Sequence, residues 1–169
     1  MKKFKINLLL ALLLSGVMQA SFAADGKNYP GSQCVRWSGS TAITYSASEM
    51  QNNSTTTDLN VDCVATKDII GGKVDAHWVR MRDQNGNSGK DVSCRLWSVY
   101  GRTDAAGMWG WSGPLLKTVG SSPYVQHKST SSDVSSNTVS HYYFSCVIPP
   151  RNNATGGKSG IVTYQIDES

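Results

Sequence analysis

An all-β fold, two antiparallel layers packed as a jelly-roll-like sandwich and held by two disulfides, is what this 169-residue chain predicts. Apolar and polar residues alternate with a period of two in stretch after stretch, and helical periodicity is nearly absent. Charged residues make up only 17% of the chain, below the ~25% of ordinary domains, while Ser, Thr, Asn and Gly punctuate it as turn formers. Four cysteines follow an export signal, which places them in an oxidising compartment.

The signal occupies residues 1–23. Lys2, Lys3 and Lys5 precede an apolar run over 8–17, and Ser21-Phe22-Ala23 supplies the small-x-small cleavage pattern. That run is too short to span a bilayer. Cleavage would leave 24–169 as a single domain, secreted or periplasmic, with no membrane span. The formal charge of +4 falls by the three lysines of the signal, and no run of Lys or Arg survives. A nucleic-acid footprint is therefore not expected.

Gln33 to Trp37 forms a short strand-like segment after the turn former Tyr29-Pro30-Gly31. Leu59, Val61 and Cys63 alternate with Asn60 and Asp62, which puts Cys63 on a buried face. Residues 73–82 and 91–100 flank an Asn-Gly-containing loop at 83–90 and read as a long-looped hairpin. Further strands are expected at 115–119, 124–128, 138–148 and 161–166, the 138–148 segment ended by Pro149-Pro150. Val92, Cys94, Leu96, Tyr142, Phe144, Cys146 and Ile148 are expected to face inward. A short helix is a candidate only around Ala47 to Gln51. The polar stretches 51–57 and 129–136 read as loops.

Four cysteines allow three pairings, which spacing does not decide. Cys34–Cys63 with Cys94–Cys146 is favoured, because Cys94 and Cys146 lie on apolar strand faces. A zinc site is disfavoured, since no C-x-x-C spacing occurs. Tyr29-Pro30-Gly31-x-x-Cys34, Ser145-Cys146-Val147-Ile148-Pro149-Pro150 and Tyr164-Gln165-Ile166-Asp167-Glu168 resemble a group of small exported bacterial β-rich proteins. The resemblance would span most of the chain after the signal. It implies bacterial export and a compact β fold, and neither an activity nor a catalytic residue.

Trp109-Gly110-Trp111 is the feature most suggestive of function. In an extended strand both indoles share one face, an apolar platform suited to a sugar ring. The competing reading has them cap the open end of the core. Asp83, Asn85 and Asn87, with Asp91 beyond, set oxygens at alternate positions as calcium loops do. Ser88 and Cys94 stand where the calcium-loop pattern needs glycine and glutamate, and an ordinary turn uses the same residues. No metal or other cofactor is expected. His77, His127 and His141 have unrelated spacings, although strands could bring His77 and His141 together. Gly156-Gly157-Lys158-Ser159 lacks the first glycine of a phosphate loop, where Asn152 stands. Pro114 breaks the nucleophile-elbow frame around Ser112.

The sequence therefore favours an exported non-catalytic binding protein whose partner is carbohydrate or an extracellular protein. The alternatives are a structural or interaction protein of the bacterial envelope and, behind it, a small secreted hydrolase. The oligomeric state is left open.

Overall fold

The computed structural model describes residues 25–85, 90–101 and 108–169. The expected signal, the calcium-candidate residue Asn87 and residues 102–107 lie outside the described residues. Eleven strands form the body: β1 (Asp25–Pro30), β2 (Val35–Gly39), β3 (Ile43–Ser46), β4 (Glu49–Asn52), β5 (Leu59–Ala65) and β6 (Val74–Asp83) come first. Next come β7 (Ser93–Gly101), β8 (Met108–Lys117), β9 (Ser122–Thr130), β10 (His141–Ile148) and β11 (Gly160–Glu168). One sheet runs β3-β4-β11-β6-β9 with β1 also paired to β11, and the other runs β2-β5-β10-β7-β8. Every pairing is antiparallel. From β5 onward the chain crosses between the sheets at every connection except the β7–β8 hairpin, which is the jelly-roll-like habit.

Alternation explains the packing. Leu59, Val61, Cys63 and Ala65 on β5 and Tyr142, Phe144, Cys146 and Ile148 on β10 are all buried. They meet Val79, Met81, Ile161, Tyr164 and Ile166 of the opposing sheet in one core. Cys34 bonds Cys63, and Cys94 bonds Cys146. Cys94 and Cys146 are direct register partners on β7 and β10, so the bridge ties neighbouring strands on the inner face. No described helix is long and apolar enough to cross a membrane.

Two local expectations are corrected. The segment around Ala47 to Gln51 is the turn and second strand of the β3–β4 hairpin, with Ala47 at a φ of 52°. Four or five residues are too few to sustain an isolated helical turn, whereas the hairpin buries Met50 and Asn52. The segments around 83–90 are not a hairpin either. β6 pairs with β9 and β11, while β7 pairs with β8 and β10 in the other sheet. The connection is long enough to cross the ~10 Å between layers, and both strands find better-matched partners there.

Candidate functional site

β7 and β8 bring three aromatic rings to one end of the sandwich. Cys94, Leu96 and Ser98 are buried on the inner face of β7, and the register sets Ser98 opposite Trp111 and Tyr100 opposite Trp109. Both indoles and Tyr100 thus continue the inward face of the sheet. Burial ends along β8 in sequence: Gly113 is buried, Trp111 is 39% exposed and Trp109 is 52% exposed. The opposing layer stops covering the sheet there. The Tyr100 and Trp111 ring centroids lie 5.7 Å apart with planes inclined at 35°.

Local sequence dictates this placement. Gly110, between the indoles, lies where a Cβ would sit 2.2 Å from the Ser98 carbonyl oxygen, so only glycine lets β8 approach β7 here. A register shift between Arg95 and Trp97 gives β8 an extra residue near Gly113 and Pro114. Gly113 packs under the His77 imidazole, with Val134 of the β9–β10 connection beside it. His77 and Val134 close the core, and the aromatic cluster begins one step beyond.

His77 is 1% exposed, with neither ring nitrogen hydrogen-bonded. Burial pushes its pKa down to about 4, so the ring is neutral at pH 7. Its neighbour is Phe144, at 5.8 Å between centroids. The three histidines do not converge. His141 faces outward beside Tyr143, and His127 lies against Trp78 on the outer side of the other sheet. Among the described residues no cluster of His, Cys, Asp or Glu is arranged to hold a metal.

The candidate calcium residues form a protein-satisfied rivet where they are described. Asp83 Oδ2 accepts from Thr118 Oγ1 at 2.6 Å and Val92 N at 3.1 Å. Its Oδ1 accepts from Asn85 N at 3.1 Å and Ser159 Oγ at 3.2 Å. Asp91 turns away to Lys117 Nζ at 3.7 Å and Gly120 N at 3.3 Å. The carboxylate joins the ends of β6, β7, β8 and β11.

One contact of catalytic type escaped the sequence: Lys67 Nζ donates to Ser140 Oγ at 3.1 Å, and burial lowers the lysine pKa. The hydroxyl is already engaged by its own turn, donating to Asn137 O at 3.0 Å and accepting from Asn137 N at 3.1 Å. Lys67 also donates to the Asn137 carbonyl. The group clamps the turn before β10. Tyr100 escaped the sequence as well, because its position beside the indoles depends on a hairpin register that alternation does not supply.

No protein-family model matches this sequence, and no curated protein matches it. Among solved structures the chain is similar to a family two carbohydrate esterase from Cellvibrio japonicus, at 8% identity and a TM-score of 0.42. That likeness covers 86% of this chain and 34% of the esterase. It is also similar to a Cry1Da tryptic core variant of Bacillus thuringiensis, at 11% identity and a TM-score of 0.35, over 79% of this chain and 23% of that one. The chain thus spans about a third or less of either protein.

Proposed function

We propose that this protein is an exported, non-catalytic carbohydrate-binding module whose ligand stacks on Trp109, Trp111 and Tyr100. The observation that carries the reading is the exposure of both indoles on a sheet face that is otherwise core. Large apolar rings exposed to solvent beside a tyrosine form a platform suited to a flat ligand. The CH face of a pyranose is such a partner. Residues i and i+2 of a strand lie ~7 Å apart, a span suited to a short run of sugar units rather than one atom group. The nearly balanced charge of the domain agrees with an uncharged ligand. The two disulfides and the sandwich suit life outside the cytosol.

Affinity electrophoresis through gels containing different neutral polysaccharides tests the reading. At least one polysaccharide retards the wild type, and Trp109→Ala and Trp111→Ala each abolish retardation while the thermal midpoint moves by under about 3 °C. A protein retarded by none of them, or one whose indole variants unfold, would return the rings to a packing role.

A further inference from the structure

The outer face of the β2-β5-β10-β7-β8 sheet mixes exposed apolar side chains with polar ones, and its central row is palindromic. Across the five strands the register lines up Val35, Asp62, Ser145, Arg95 and Leu115 in one row. The row reads apolar, acid, hydroxyl, base, apolar, with Ser145 of the central strand at its middle. One row over, Val64, Tyr143 and Trp97 are aligned with Tyr143 at the centre, and in the third row Val147 holds that place between Asn60 and Ser93, with Ser38 and Lys117 outermost. Val35, Val64, Leu115 and Val147 are all exposed.

We propose that this face is the interface of a twofold dimer of the chain, with the symmetry axis parallel to β10. Such an axis sets each Asp62 over the Arg95 of the second copy, twice. It also sets Val35 over Leu115, Val64 over Trp97, Tyr143 over Tyr143 and Val147 over Val147. An axis along the rows instead would stack Asp62 on Asp62 and is excluded by charge. Within one chain Asp62 and Arg95 stand two strand spacings apart, ~10 Å. Neither makes an ion pair among the described residues. Asp62 Oδ1 is buried without a hydrogen-bond partner, and desolvation raises its pKa against the lowering effect of Ser145. A guanidinium arriving from a second copy would compensate the charge of this partly buried carboxylate. A foreign partner would have no use for the palindrome; a second copy requires it.

Five strands and three rows make a face of roughly 24 by 20 Å, about 500 Å² in projection. Exposed Val35, Val64, Leu115 and Val147 supply its apolar part, and Asp62 and Arg95 supply its charge complementarity. Two such faces fall at the small end of specific interfaces, so the dimer dissociates on dilution. Trp109 and Trp111 lie on the opposite side of the sheet and stay open.

Sedimentation velocity on the purified, oxidised protein over a hundredfold concentration range tests the proposal. The wild type passes from monomer to dimer. Asp62→Arg and Arg95→Asp each weaken association by about 30-fold or more, and the double reversal restores it to within a few-fold. Ser145→Cys, on the axis, is joined to its counterpart by a short thiol-specific bismaleimide that spans the ~10 Å between packed sheets, giving a covalent dimer on a denaturing gel, a readout that survives if a charge variant fails to fold. A wild type that stays monomeric throughout would overturn the dimer and assign the face to a different protein. Single reversals that leave the dimer intact, a folded double variant that stays monomeric, or an uncrosslinked Ser145→Cys would overturn it equally. None of these outcomes depends on sugar binding.

Discussion

An imidazole held between two sheets with neither nitrogen satisfied is expensive, and His77 makes that cost depend on pH. Free histidine titrates near 6.5, and burial brings His77 down to about 4. As pH falls, the unfolded chain takes up a proton near 6.5 while the folded ring refuses it until about 4. Stability is therefore complete above 6.5 and is lost through that window, by about 3 kcal/mol at its acid end. Urea midpoints at pH 7.5 and 4.5 read the loss directly. His77→Leu, close in volume and without polar atoms, should flatten the difference by about that amount; an unchanged pH response would show that other groups carry it. Gly113→Ala tests the same contact from the facing sheet. Its Cβ would lie 2.8 Å from His77 Cε1 and Nε2, so a loss of about 1–3 kcal/mol is expected, and pairing it with His77→Ala should recover most of that loss. Asp83 is the opposite kind of buried polar residue, with every oxygen engaged. Asp83→Ala removes the buried acceptor shared by four donors, leaving Asn85 N and Ser159 Oγ without it, and should cost about 2–4 kcal/mol in the same urea assay.

Among elements, β5 and β10 were legible because each alternates cleanly and carries a cysteine on its apolar side. Their burial and the Cys94–Cys146 register follow from that pattern. β1, β3 and β4 were not legible. They are four to six residues long and mostly polar, and they owe their strand geometry to an open edge of β11 or to a hairpin turn. The β6–β7 connection misled because Asn-Gly favours turning without specifying which strand the chain returns to. Alternation likewise put Trp109 and Trp111 on one face but said nothing of where the opposing sheet ends. The disulfides close loops with separations of 29 and 52 residues. In the chain-entropy model each stabilises the fold by about 4 kcal/mol. Cys94→Ala combined with Cys146→Ala should lower the unfolding free energy by that order. Because all four sulfurs are buried, millimolar reductant should leave the native protein oxidised over hours while reducing it promptly in urea. Rapid native reduction would show that the sandwich opens far more readily than its packing implies.

At the scale of the whole molecule, two proposed roles fall on opposite faces of the β2-β5-β10-β7-β8 sheet. The inner face closes the core and, past His77 and Val134, turns into the aromatic platform. The outer face offers the palindrome of Asp62 and Arg95. Because the proposed axis runs parallel to the strands, a dimer built on the outer faces would present both platforms at the same end, so a long or surface-bound polysaccharide would be held twice and a short oligosaccharide once. The second contact then becomes intramolecular, and apparent affinity for the polymer exceeds that for the oligomer by about 10²-fold or more. Asp62→Arg should erase that excess while leaving affinity for a short oligosaccharide unchanged, and Trp109→Ala should erase both. Immobilised polysaccharide and soluble oligosaccharide, compared side the same variants at protein concentrations above and below dimer dissociation, separate the two effects. Equal retention of wild type and Asp62→Arg on the polymer would mean that each platform acts alone, whatever the chain does in solution.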